Sequence, residues 1–469
     1  MFLRHGLAIG LVAALASGNP AWAETRTLTE ALAAAYSSNP TLLAARAQLR
    51  GVDENVPQAL AGWRPQVSIS GNAGYNQYTI ITRTTSAVAP PSSQATNNLL
   101  GTHTAQLSVT QPIWTGGQTR AGTNRAENQV RGQRARLIAA EEQVFNDTIT
   151  AFVNVIANSQ VLALNINNEQ VLARQLQATN DRFRVGEITR TDVAQAEAAL
   201  AGATATRQTS EGNLQTARAQ FQRMVGELPG ALIEPQPLRL PVRTLEEAKA
   251  LASANNPAVV AALFDDAAAK DNFDFQYSKI MPNLSLQGAL IQTKDTQLPG
   301  TTTKSAEIVA AVTVPLYQGG SEYSAIRQAR QQQQQTHKLV DDARRTAVQQ
   351  LVAAWETYTS SKSTIQSTHA QIRANQIALE GVEREAIVGS RTTLDVLNAE
   401  QALLNSRVTL VQNLANLVNA SYAVASAAGR LTARDLNLPV PLYDDTAYYA
   451  SVRDRWIGTG DFATSQPGR

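Results

Sequence analysis

The chain contains one helical-hairpin sequence twice, and this duplication constrains its fold more than any other feature. The two copies read VGEITRTDVAQAEAAL and VGSRTTLDVLNAEQALL. Gly389 follows Gly186 by 203 positions, and the same offset relates PIWTGG from Pro112 to PLYQGG from Pro315. The 469 residues would suggest about three domains by length alone, but a repeat this long indicates one duplicated body. We predict a first repeat over 28–229, a linker over 230–243, a second repeat over 244–431 and a C-terminal tail over 432–469.

The N-terminus has the three parts of a secretory signal peptide. Arg4 and His5 form a positively charged start, a short apolar run follows, and Ala21-Trp22-Ala23 fits a cleavage site. We predict a signal peptide over 1–23 and a mature chain outside the cytoplasm. Because the chain has no cysteine, it carries neither a disulfide nor a lipid on an N-terminal cysteine.

Charge and hydropathy narrow the possible partners. Loss of Arg4 with the signal changes the formal net charge from +2 to +1, which does not indicate nucleic-acid binding. There is no second apolar run of about 18 residues, so we expect no transmembrane helix. A part that enters a membrane would then consist of strands in a closed barrel.

Four segments alternate polar and apolar residues with the period of two that is typical of strands. We predict these strands over 65–78, 103–112, 282–291 and 305–315. Each is about ten residues long, as a tilted membrane strand is, although a soluble antiparallel sheet fits the alternation equally well. The Pro- and Ser-rich run that begins at Thr84 predicts a loop between the first two strands.

Two proline-free stretches predict helices on the order of 100 Å long. They cover 117–185 and 319–388, and we predict return helices over 190–226 and 393–429. In the second long stretch apolar residues recur every seven positions, which predicts helices packed side by side along their lengths. Such helices do not fit a compact globular domain, so membrane strands explain the alternating segments better.

The sequence has no pattern that is typical of an enzyme. His103, His337 and His369 lack neighbouring ligands at metal-site spacing, and no Gly-x-Ser-x-Gly motif is present. The Gly-Gly pairs at the two strand-to-helix junctions lack the lysine of a phosphate-binding loop. We therefore predict a protein that is not an enzyme and needs no cofactor or metal.

The signal, the duplicated order of strands and helices, the PIWTGG and PLYQGG junctions and the VGxxT hairpins together resemble the TolC-type outer-membrane efflux proteins. The resemblance implies a membrane α+β fold and a homotrimer. Four strands per chain would form one twelve-stranded outer-membrane β-barrel, continued by a long periplasmic α-helical barrel. Independently, four strands cannot close a barrel, which requires about eight. The resemblance also implies location in the outer membrane, in contact with its lipid, with a large periplasmic part.

The same resemblance implies two protein partners, a periplasmic adaptor (membrane fusion) protein and an inner-membrane ABC or RND transporter. It implies that the adaptor docks on the hairpin tips, at Val185, Gly186, Thr189, Val388, Gly389 and Thr392. The alternative is that these residues only end one helix and begin the next, because glycine closes helices and threonine caps them.

The resemblance further implies a polar network that closes the tunnel at the tips. The matching positions in this chain are Thr191, Asp192, Arg391 and Asn398. Two positions depart from the family pattern, since a network tyrosine is Ala386 here and a constriction aspartate is Asn398. These departures imply a looser lock and leave the cation preference of a carboxylate ring in doubt. Asp192 could equally be an ordinary charge near a helix start.

These features predict a passive, gated exit duct for type I protein secretion, multidrug efflux or both. The alternative is a stand-alone outer-membrane porin or receptor, against which the long helices and the duplicated tips argue. A structural periplasmic coiled coil is a third possibility. The sequence does not specify the substrate, because the wall of a tube recognises little.

Overall fold

Each half of the chain contains short helices, then two strands, a 67-residue helix and a return helix. The structure is a computed structural model that describes residues 27–85, 87–88, 90–240, 242–296, 299–460 and 462. The predicted signal peptide and the last residues of the predicted tail lie outside the described residues. The first half contains α1 (Leu28–Ser38), α2 (Pro40–Asp53), α3 (Asn55–Leu60), a 3₁₀ turn (Ala61–Trp63), β1 (Gln66–Thr84), β2 (Ser92–Trp114), α4 (Gln118–Arg184) and α5 (Arg190–Val225). The second half contains α6 (Leu245–Asn255), α7 (Pro257–Ser278), β3 (Asn283–Lys294), β4 (Thr302–Thr313), α8 (Ser321–Ile387), α9 (Thr393–Ala427) and α10 (Ala447–Val452).

Local sequence accounts for where the helices begin and end. α4 and α8 each have 67 residues and begin and end within two residues of the predicted bounds. Each follows a glycine in the left-handed region, Gly117 at φ 93° and Gly320 at φ 85°. At the start of α2 and α7, Asn39 and Asn256 cap the helix and a proline occupies its first turn.

The four strands form one antiparallel sheet in the order β1-β2-β3-β4. The register places Val67 opposite Val109, Ile69 opposite Leu107, and Leu107 opposite Leu290. These side chains share one apolar face, whereas the other face carries residues such as Ser68, whose hydroxyl bonds that of Ser108 at 2.8 Å. The sheet therefore has one face suited to lipid and one suited to water.

The first hairpin is longer than the predicted strands over 65–78 and 103–112. β1 continues to Thr84 and β2 begins at Ser92, so part of the run predicted as a loop is paired strand. The composition was misleading because strand pairing uses backbone groups, which serine, threonine and asparagine also provide. Thr79 Oγ1 also donates to Asn97 Oδ1 across the pair at 2.7 Å.

The helical body is centred on α4. Phe145 and Phe152 of α4 and Phe221 of α5 are fully buried in its main apolar cluster, which also receives residues from α1, α2, α9 and the C-terminal segment. α4 also packs against α7 and α9, whereas α8 has far fewer buried residues.

The expectation that no helix could cross a membrane was wrong by length and composition. An 18-residue window of α4 has a mean hydropathy of 1.5, and 33% of it is buried inside the protein. Polar residues interrupt this window, so it does not read as a continuous apolar run. A core helix passes the same test, and Phe152, Val153 and Val155 of α4 lie in the main apolar cluster.

The carboxyl group of Glu142 is buried where α4 meets the end of α9. Its Oε1 accepts a hydrogen bond from the Leu431 amide at 3.3 Å, and Ser426 Oγ lies 3.5 Å from its Oε2. Burial raises the pKa of Glu142 to about 8, although the Leu431 bond opposes the rise. In the folded protein the Glu142 carboxyl group is therefore mainly protonated at pH values below about 8.

We expect Glu142→Gln to stabilise the protein at pH 8 but not at pH 5. Because the folded-state pKa is raised from its ordinary value of 4.5, the contribution of Glu142 to stability is full below about pH 4.5 and is lost as the pH rises from there to about 8. Glutamine keeps an acceptor for Leu431 without a buried charge, so the gain at pH 8 should be on the order of 1–3 kcal/mol. Thermal unfolding followed by circular dichroism at both pH values measures it. Glu380→Gln, at an exposed site on α8, is the control, and an equal response in both variants would contradict the prediction.

Candidate functional site

The two hairpin tips lie at the ends of the long helices that are remote from the sheet. α4 ends at Arg184 and α8 ends at Ile387, each 67 residues from its start beside a strand. A helix of that length is about 100 Å long. The tips are therefore the parts of the helical body that reach farthest from the sheet.

Both tips use the same glycine closure. Gly186 has φ 80° and Gly389 has φ 81°, in the left-handed region. Each glycine amide donates to the carbonyl three residues earlier, at 2.9 Å and 3.2 Å respectively. The next amide donates to the carbonyl five residues earlier, at 3.0 Å in both turns. This pattern ends a helix and explains why glycine stands at both positions.

The return helices begin with matched capping boxes. Thr189 Oγ1 accepts from the Asp192 amide at 3.4 Å, and Asp192 Oδ2 accepts from the Thr189 amide at 3.0 Å. Thr392 and Asp395 make the same pair of bonds at 3.2 Å and 3.0 Å. Hydrogen bonds from Thr189 lower the pKa of Asp192, and those from Thr392 lower the pKa of Asp395. Both predicted docking threonines thus have a structural task within the chain.

Each tip also exposes apolar side chains. Val185 is 78% exposed and Val388 is 77% exposed, and Phe183 and Ile387 are exposed beside them. A Cβ built on Gly186 or Gly389 meets nothing within 4 Å. Most of the surface of both valines is therefore uncovered in the single chain.

An ion pair crosses each turn, and its polarity is reversed between the tips. In the first tip the cation is on the long helix, where Arg182 Nη2 lies 2.5 Å from Glu187 Oε1. In the second tip the anion is on the long helix, where Glu385 Oε2 lies 2.8 Å from Arg391 Nε. Opposite charges on either side of each glycine could have revealed Glu187 and Glu385 in the sequence. Both pairs are exposed, so each adds little to stability.

The predicted closure residues are not joined within one chain. Among the described residues, Arg391 pairs with Glu385 and Asp192 bonds Thr189, and no hydrogen bond or ion pair connects Asp192 to Arg391. Thr191 and Asn398 are exposed. An Asp192–Arg391 link would therefore have to form between different copies of the chain.

Comparison with known proteins decides the family. The sequence pattern of the family described as outer membrane efflux protein matches residues 31–227 and 250–430. The chain belongs to the outer membrane efflux protein family. The efflux protein BepC of Brucella suis biovar 1 is 33% identical over 92% of each chain. TolC of Escherichia coli K12 is 25% identical over 90% of this chain and 85% of TolC.

Solved structures show the same fold. VceC from Vibrio cholerae superimposes with a TM-score of 0.72 at 20% identity, over 86% of this chain and 96% of VceC. This efflux protein is therefore an outer-membrane channel with a TolC-like fold, as the motif resemblance predicted. Its family consists of channel proteins and not of enzymes.

We expect Gly389→Ala to lower the free energy of unfolding by about 1 kcal/mol, because alanine is strained at φ 81°. Gly381→Ala is the matched control. Gly381 lies within α8, and a Cβ there meets nothing within 4 Å. Alanine at this position should therefore stabilise the protein by about 0.5–1 kcal/mol. Thermal unfolding of both variants measures the difference. Equal stability of the two variants would show that the left-handed turn is not retained.

Proposed function

We propose that this efflux-family channel is the exit duct of a tripartite export system. An inner-membrane ABC or RND transporter supplies the energy, a periplasmic adaptor bridges to the hairpin tips, and the substrate leaves without chemical change. The observation that carries the proposal is the pair of exposed, glycine-closed tips held about 100 Å from a membrane-type sheet. A stand-alone porin or receptor does not require helical tips at such a distance from the membrane.

The names of relatives suggest two substrate classes. AprF of Pseudomonas aeruginosa, 24% identical over 65% of this chain, is an alkaline protease secretion protein, and PrtF of Dickeya chrysanthemi is a proteases secretion protein. BepC is named as an efflux protein. We therefore propose protein substrates, small toxic compounds or both.

We propose a homotrimer, as the family resemblance implies, and the unpaired edges of the sheet support an oligomer. β1 and β4 each have one side without a strand partner among the described residues. In lipid every backbone N–H and C=O needs a partner, and four strands are too few to close a barrel. Pairing β1 of one copy with β4 of the next, in three copies, gives twelve strands and places the apolar face of each sheet toward lipid.

The adaptor-docking surface in this proposal comprises Val185, Gly186, Thr189, Val388, Gly389 and Thr392. The exposed valines supply apolar contact area, and the glycines allow close backbone approach. The reversed ion pairs make the two tips chemically different. A partner that contacts both tips therefore meets two distinct surfaces.

Photo-crosslinking tests adaptor docking. A photoreactive amino acid at Ser390, or at Glu187 in the other tip, should capture a periplasmic adaptor in intact cells, because both residues are exposed beside the tip glycines. The same amino acid at Lys338, exposed on α8 far from the tip, should capture no adaptor. Mass spectrometry identifies the partner. Oligomers in the outer membrane without capture at either tip would favour the porin alternative.

For closure we propose that Thr191, Asp192, Arg391 and Asn398 of neighbouring hairpins meet at the end of the tunnel. The Arg391 guanidinium has five N–H donors, and its Nε–H donates to Glu385. Its remaining donors can bind a carboxylate such as Asp192 of an adjacent hairpin. Asn398 supplies an uncharged polar side chain at the constriction.

We expect Arg391→Ser to raise the single-channel conductance in planar lipid bilayers, because it removes the cation that joins neighbouring hairpins. Arg384→Ser changes an exposed arginine of the same tip for which the structure gives no ion pair, and it should leave the conductance unchanged. A wild-type channel that is constantly open, or equal effects of the two substitutions, would contradict closure by Arg391.

A further inference from the structure

The C-terminal segment after α9 runs along α4 toward the sheet. We call residues 431–457 the C-terminal strap. It begins where the amides of Leu431 and Ala433 donate to Glu142 and Glu141 at 3.3 Å and 2.6 Å. Farther along, Arg453 Nη2 lies 3.8 Å from Glu127 Oε1. Positions 142 to 127 of α4 correspond to a rise of about 22 Å toward the strands.

Contacts with α1, with Glu54 between α2 and α3, and with α4 fix the path of the strap. The Tyr443 amide donates to Tyr36 Oη at 2.9 Å, and the Tyr448 hydroxyl donates to Glu54 Oε1 at 2.7 Å. The Arg134 guanidinium lies 5.4 Å from the centre of the Tyr449 ring. Because these contacts are distributed along the strap, the strap packs against the helical body over most of its length.

The far end of the strap reaches the base of the sheet. Arg64 Nη1 donates to the carbonyl of Arg455 at 2.7 Å, and its guanidinium lies 5.1 Å from the centre of the Trp456 ring. Arg64 precedes β1 by two positions. Trp456 therefore lies at the level where the strands leave the helical body.

This end exposes apolar surface that the described residues leave uncovered. Trp456 is 66% exposed and Ile457 is 88% exposed. Other large apolar side chains are exposed near the same end of the sheet, namely Trp63, Ile113, Trp114, Val314, Leu316 and Tyr317. Aromatic side chains at this level are typical of the girdle that marks the bilayer interface of an outer-membrane barrel.

The charged residues around Trp456 also favour a lipid surface as the partner. Arg64, Arg453 and Arg455 lie near Trp456 in sequence or space. Of these, Arg453 pairs with Asp454 of the strap and with Glu127 of α4. Arginine and tryptophan together suit the headgroup region, where the ring meets acyl chains and the guanidinium meets phosphate. A neighbouring copy that pairs with the edge of β1 would need backbone groups there and not an exposed Trp-Ile pair.

We propose that the end of the C-terminal strap is a lipid-binding foot. Trp456 and Ile457 enter the headgroup boundary of the periplasmic leaflet beside the barrel, and Arg64 and Arg455 bind lipid phosphate. The foot extends the aromatic girdle of the strands with residues from the opposite end of the chain. It thereby ties the C-terminus of the helical body to the membrane surface.

Depth-dependent quenching tests the foot. Replacing Trp63, Trp114 and Trp355 with phenylalanine leaves Trp456 as the only tryptophan of the mature chain. In vesicles of 6,7-dibromo phosphatidylcholine, Trp456 fluorescence should be largely lost relative to vesicles without bromine. The matched variant that keeps only Trp355, which packs in the helical body, should keep its fluorescence. Unquenched Trp456 would overturn the proposal.

A second measurement keeps all tryptophans and so does not depend on those substitutions. A photoreactive amino acid in place of Ile457 should form phospholipid adducts in purified outer membranes, detected by mass spectrometry. Crosslinks to a second copy, which double the apparent mass on denaturing gels, would overturn the foot in favour of a contact between copies. Adducts confined to the same chain would likewise overturn it. Neither result bears on adaptor capture at Ser390, so the two proposals can fail separately.

Discussion

Backbone hydrogen bonding at the edges of the sheet is the constraint on which the rest of the architecture depends. Lipid offers no partner for a free N–H or C=O, so the outer sides of β1 and β4 require further strands. The register puts Val67, Ile69 and Leu107 on one face and Ser68 on the other, so closure also separates lipid from water. The proposed homotrimer would supply the strands that the sheet of one chain lacks.

Both halves of the helical body use the same turns and helix caps, because their sequences are repeated. Each long helix starts after a left-handed glycine and ends before another, and each return helix starts with a Thr–Asp capping box. The halves nevertheless differ in charge at the hairpin tips. The ion pair of the first tip places arginine on the long helix, whereas that of the second tip places glutamate there. Two turns of the same backbone form therefore carry differently arranged charges.

The middle of the body is held by contacts between distant parts of the sequence. Phe145 and Phe152 of α4 pack with Phe221 of α5 and with Leu431 from beyond α9. Glu142 and Glu141 of α4 accept hydrogen bonds from the Leu431 and Ala433 amides of the C-terminal strap. Burial raises the pKa of Glu142 to about 8, and it also raises the pKa of Glu141 above its ordinary value.

The sequence by itself determined the local structure, because periodicity, proline and glycine act over a few residues. It predicted the bounds of α4 and α8 to within two residues and placed glycine at both tips. Only the tertiary structure decided that the polar run before Asn97 pairs as strand, that Arg391 bonds Glu385, and that the C-terminal strap reaches Arg64. Arg64 and Arg455 are 391 positions apart, and no local pattern specifies such a contact. It depends on how the buried faces of separate helices fit together.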